Sequence, residues 1–158
     1  MIFLIGVSSF CNAQSFEFKE LNSLKLKKEM DSQEEYVDPI FYYFKVFYGL
    51  EGSKTEIIKD EYDSSYICSY SQKIKSNIYL HVNECGEGGN TTLITLPRLN
   101  RSNLIDWIEN IYSSMGSDIS NIWNENFTEY IPEDDGAGCY FKILENINNT
   151  QIEVYCGC

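Results

Sequence analysis

Cys139-Tyr140-Phe141-Lys142-Ile143-Leu144-Glu145-Asn146-Ile147-Asn148-Asn149-Thr150-Gln151-Ile152-Glu153-Val154-Tyr155-Cys156-Gly157-Cys158 is the stretch that decides the fold class. Apolar and polar residues alternate along both arms, the period-two signature of a half-buried strand. Asn tolerates the positive φ of a tight hairpin turn, so the turn is expected at Asn148 and Asn149. Counting outward sets Ile147 opposite Thr150, Ile143 opposite Val154, Phe141 opposite Cys156 and Cys139 opposite Cys158, all on one apolar side. Tyr140, Lys142, Asn146, Gln151, Glu153 and Tyr155 fall on the other side, together with Leu144. A Cys139–Cys158 bridge then staples the C-terminal hairpin into the core. A slip of the turn by one residue on each arm would pair Cys139 with Cys156 instead.

Working upstream, residues 64–71, 77–82 and 91–96 read as further strands, separated by turn chemistry at 73–76 and 86–90. The run 40–48, rich in aromatic and branched residues and closed by Gly49, predicts another strand. Leu104, Ile108, Ile111 and Met115 recur at steps of three and four behind Ser102, which predicts a helix over 103–115 with Ser102 as its N-cap and Gly116 as its stop. Asp118 is expected to cap a short helical turn carrying Ile119, Ile122 and Trp123, and residues 15–31 read as a looser helix. The sum is an α+β fold: an antiparallel sheet of five or six strands with helices packed on one face.

The 158 residues suit one globular domain, and a chain 43% hydrophobic and 15% aromatic has ample apolar surface for a core. Residues 1–13 carry no charge and open on Ile2, Phe3, Leu4, Ile5 and Val7, which resembles the apolar core of a secretory signal. Small residues at Cys11 and Ala13 suit a signal peptidase, so the mature domain is expected over 14–158, beginning at Gln14, in the periplasm or outside the cell. Export makes the remaining cysteines read as bridges rather than metal ligands. Besides Cys139–Cys158, Cys68 and Cys85 form the second expected pair, which leaves Cys156 as the odd thiol.

The charge is lopsided. From Ser102 to the end there are ten acids against Lys142 alone, which accounts for most of the formal net charge of −12. Such a surface repels nucleic-acid phosphates and anionic lipid and speeds encounter with a basic protein. Glu129, Glu133, Asp134 and Asp135 are the carboxylates expected to face that partner, with Trp123, Phe127 and Tyr130 as apolar anchors. The plain alternative is that the acids are solvated and the aromatics belong to the core.

Other signals for chemistry are weak. His81 is the only histidine and falls on the side of its strand opposite Ile78, Leu80 and Val82, with no nucleophile elbow nearby. Cys156-Gly157-Cys158 lacks the spacing and the helix of a redox pair, and Cys with His81 fits no strong zinc pattern. Glu133-Asp134-Asp135-Gly136 lacks the alternating acids of a calcium loop. Gly86-Glu87-Gly88-Gly89 lacks the lysine of a phosphate cradle. No cofactor is expected. The leading expectation is an exported acidic binding protein that neutralises a basic toxin or wall-degrading enzyme. Two alternatives stay open: a small enzyme using carboxylates such as Asp134 and Asp135, and an envelope module whose 40–48 stretch lines a ligand pocket.

Overall fold

A computed structural model describes residues 16–33, 38–86, 88–134 and 136–157. In chain order they form α1 (Ser23–Asp31), α2 (Pro39–Phe47), β1 (Thr55–Lys59), β2 (Ile67–Ile74), β3 (Ile78–Asn83), β4 (Gly89–Pro97), α3 (Arg101–Ser114), β5 (Asn121–Trp123), β6 (Glu129–Pro132), β7 (Gly138–Glu145) and β8 (Asn149–Gly157). The strands make one antiparallel sheet in the order β1-β2-β3-β4-β8-β7-β6-β5, so the last strand lies in the middle, between β4 and β7. The α+β class is as the sequence implies, with eight strands instead of five or six.

Alternation decides which side of the sheet is covered. Ile74, Ile78, Leu80, Ile94, Phe141, Ile143, Ile152 and Val154 point to one face and are buried against Leu26, Phe44, Leu104, Trp107, Ile108 and Ile111 from the helices. Each fully buried side chain of this size stabilises the fold by about 1.5–3 kcal/mol. The ring of Phe18, from the segment before α1, stacks on Trp107 at 4.5 Å and extends the core. Among the described residues no helix covers the other face, and its rows carry mostly polar side chains.

The aromatic run 40–48 is helix α2, not a strand. Asp38 caps it by accepting the Phe41 N–H at 2.7 Å, Pro39 takes the first turn, and Ile40, Tyr43 and Phe44 are buried at helical spacing. A run apolar at nearly every position shows no period, so the Asp-Pro start signal outweighs β propensity here. The turn expected behind Asp118 is instead strand β5, because its backbone pairs with β6 from Asn121↔Pro132 to Trp123↔Tyr130. The helix at residue 103 begins earlier: Asn100 is the N-cap of α3, and Ser102 donates its N–H to that Asn. The first helix is shorter than expected, starting at Ser23 behind Asn22.

The C-terminal hairpin keeps its predicted face but not its register. Ile143 pairs with Ile152, Phe141 with Val154 and Cys139 with Cys156, and the turn closes with the Asn146 N–H donating to the Asn149 carbonyl at 2.9 Å. This register sets apolar against apolar on the buried side, whereas a turn at Asn148 and Asn149 would have set Glu145 opposite Ile152. Burial thus outweighs turn preference, and Ile147 is left 87% exposed at the tip. The bridges follow: Cys68–Cys85 as expected, and Cys139–Cys156 in place of Cys139–Cys158, so Cys156 is not a free thiol. Gly157 fits the same packing, since a Cβ there would come within 2.2 Å of the Gly88 carbonyl oxygen. The signal segment 1–13 with Cys11, the start at Gln14, and residues Asp135 and Cys158 lie outside the described residues.

Candidate functional site

Two regions of the sheet carry side chains that the core does not use. The first is the edge formed by β5 and its hairpin partner β6. Ile122 is 49% exposed and Phe127 48% exposed, with Ile119 also exposed beside them. Exposed acids bracket this edge: Asp118 and Asp134 near the start of β5, Glu133 whose N–H donates to the Ser120 carbonyl at 2.8 Å, and Glu125 in the turn. The turn is held by Asn124, whose side-chain oxygen accepts the Thr128 N–H at 2.9 Å. Phe127 sits in it with φ 53, a left-handed conformation that costs a bulky residue about 1–2 kcal/mol.

The sequence-derived residues divide here. Trp123 and Tyr130 turn toward the helices and pack on the core, with ring centres 4.9 Å apart. Trp123 also donates its indole N–H to Glu109 on α3 at 2.9 Å, and burial, with Glu109 next, raises the Tyr130 hydroxyl above its ordinary value. Phe127 keeps half its ring in solvent. Glu129 lies on the uncovered face, 4.0 Å from Lys142, while Glu133 and Asp134 are exposed at the edge. The spacing of Ile119, Ile122 and Trp123 predicts a helical face, but the pairing of β5 with β6 sends Ile122 to the side opposite Trp123, and Ile119 precedes the strand.

The second region lies on the uncovered face toward the opposite edge. Six side chains from three neighbouring strands form a grid: Ser71 and Lys73 on β2, His81 and Tyr79 on β3, Leu93 and Thr95 on β4, paired row by row. Glu51, Gly52, Ser53, Thr55 and Glu56 rise beside the grid, and together they enclose a groove of about 490 Å³. Glu56 reaches into it because β1 is irregular there: the pairing slips between Thr55 and Ile58, and Glu56 has φ 51. Bulges that re-aim one side chain in this way recur beside functional sites.

Proton positions in the groove follow from donor counting. The Ser71 hydroxyl makes a short contact to the Glu56 carboxylate, which can only accept when ionised, so Ser71 donates there. Ser71 Oγ is then left to accept from His81 Nδ1 at 2.9 Å, which places the neutral ring's proton on Nδ1 and its lone pair on Nε2. This is not a hydrolytic triad, because His81 donates to the serine instead of removing its proton. At the far side, Lys73 binds the Glu51 carboxylate at 2.7 Å, and that hydrogen bond holds its ammonium above the usual lysine value. Glu56, Ser71 and His81 have no local sequence signature, since they lie on three different strands, β1, β2 and β3.

The described residues contain no cluster of His, Cys, Asp and Glu able to hold a metal ion. No family model, curated protein or solved structure matches the chain. Two disulfide bridges fit folding in an oxidising compartment. Among the described residues, no helix is long and apolar enough to cross a membrane.

Proposed function

We propose that the chain is a non-catalytic binding protein of the periplasm or the extracellular space, whose acidic sheet edge docks a basic protein. An immunity protein against a delivered toxin, or an inhibitor of a wall-degrading enzyme, has this character. The observation that carries the reading is the bracketing of half-exposed Ile122 and Phe127 by Asp118, Glu125, Glu133 and Asp134 along the free edge of β5. Apolar anchors supply contact energy and slow dissociation, while the surrounding carboxylates speed encounter with a cationic surface. Trp123 and Tyr130 back the edge from the core side.

The test is capture of a partner from the source cells with the tagged protein, followed by association kinetics of the purified pair. Joint replacement of Glu133→Gln, Asp134→Asn and Asp135→Asn is expected to slow association about tenfold at low salt, with the gap narrowing as the Debye length falls to about 8 Å at physiological ionic strength. Phe127→Ser is expected to act mainly on the dissociation rate. A partner without excess positive charge, or an association rate at low salt that the triple replacement leaves unchanged, overturns the reading.

A further inference from the structure

We propose that the groove on the uncovered face is a saccharide-binding site, independent of the β5 edge, in which one neutral sugar ring stacks on Tyr79. Tyr79 is 48% exposed in the floor of the groove and offers the flat apolar face that the C–H bonds of a pyranose ring cover. Hydrogen-bonding groups of both kinds surround it, as a ligand carrying several hydroxyls requires. His81 Nε2 and the carboxylates of Glu51 and Glu56 accept; Lys73, whose Nζ is 6.0 Å from the ring centre, donates. Thr95 also donates, because its oxygen already accepts from Gln151 at 3.3 Å and its hydroxyl proton is left for a ligand.

Charge narrows the class. Lys73 and Glu51 neutralise each other, so Glu56 leaves the groove anionic and disfavours phosphate, sulfate or acidic sugars. A compact cation would satisfy the acceptors but would meet Lys73 and leave the donors unused. A neutral sugar uses both sets. The Glu56–Ser71–His81 chain then has a definite role: it orients the imidazole so that in the neutral ring Nε2, not Nδ1, presents its lone pair to a sugar hydroxyl. Glu56 and Ser71 are thus positioning residues for His81, and Tyr79 is the contact residue.

The experiment titrates the isotope-labelled protein with cellobiose, maltose and N,N′-diacetylchitobiose in turn, following the Tyr79 ring signals and the His81 ring nitrogens by NMR. At least one sugar is expected to shift both sets, with Nε2 moving in the direction of an accepted hydrogen bond. Tyr79→Ala is expected to weaken that binding about tenfold, and Ser71→Ala to weaken it less while changing the tautomer signature of His81. Tyr62→Ala, at a tyrosine 91% exposed and outside the groove, is expected to change nothing. The proposal is overturned if none of the sugars moves Tyr79 or His81 at tens of millimolar. It is also overturned if Nα-acetyl-lysine amide moves them and the sugars do not, which would make the groove a subsite for a basic peptide. Binding by the Phe127→Ser protein separates this result from the fate of the β5 edge.

Discussion

Glu56 and Phe127 stand toward opposite ends of the sheet and share an unusual backbone: φ 51 at one, φ 53 at the other, both left-handed and neither glycine nor Asn. The difference lies in what each conformation achieves. At Glu56 it folds a carboxylate back onto the sheet, where Ser71 and His81 receive it, so the strain is offset within the molecule. At Phe127 it holds a ring at a hairpin tip, where contact with Trp123 at 6.0 Å covers only part of it. The first arrangement prepares a cavity. The second leaves apolar surface that a partner would cover, in keeping with the docking role proposed for that edge.

The largest expected effects concern the bridges, one for each half of the sheet. Both close loops of sequence separation 17, so loop entropy predicts similar losses of about 3 kcal/mol for Cys68→Ala with Cys85→Ala and for Cys139→Ala with Cys156→Ala. Urea unfolding of the two double variants measures this. A difference well beyond about 1 kcal/mol would show that the halves depend unequally on covalent support.

Next comes Asp38, beneath the groove half at the start of α2. Burial pushes its carboxyl up to about 6, against the lowering by the Phe41 N–H it accepts, and the nearby Glu84 adds to the rise. The folded chain therefore binds a proton more tightly than the unfolded chain does. Stability on this account is highest below about pH 4 and falls as pH rises to about 6. Asp38→Asn keeps the cap and removes the titration. It is expected to be more stable than the parent by about 1–2 kcal/mol at pH 7, less than the full shift implies because the residue is only partly buried, and to lose this advantage near pH 4. Unfolding at the two pH values decides it; an equal difference at both would mean the carboxylate is not the cause.

The smallest effects bear directly on the two left-handed residues. Asn tolerates this conformation better than either. Phe127→Asn is expected to leave stability unchanged or raise it by roughly 0.5 kcal/mol, since little ring contact is lost. Glu56→Asn should lower stability by about 0.5–1 kcal/mol, because the bond from Ser71 goes with the carboxylate. If both variants gained alike, Glu56 would be no better compensated than Phe127, and the contrast between the two ends would fail.

Legibility differed between the two regions for a physical reason. The acids of the last third and Phe127 are neighbours in sequence, so the acidic edge could be read in outline. Which aromatics face outward could not, because the spacing of Ile119, Ile122 and Trp123 has a helical period while the strand pairing of β5 sets the direction of Trp123. The groove was harder to read. Glu56, Ser71 and His81 meet only because β2 and β3 pair in one register and β1 bulges beside them, and none of these residues carries a motif. His81 was correctly set opposite Ile78, Leu80 and Val82, yet its partners belong to other strands.

What the amino-acid sequence determined by itself was local and periodic: the α3 helix, the strands from β2 to β4, the buried face of the C-terminal hairpin, and an acidic charge balance. Tertiary structure decided the rest. Packing against the helices set the register that joins Cys139 to Cys156. Strand order placed the acidic edge and the groove at opposite ends of one sheet. Periodicity tells which side of an element is buried, but partners distant along the chain meet only through the register of the whole sheet.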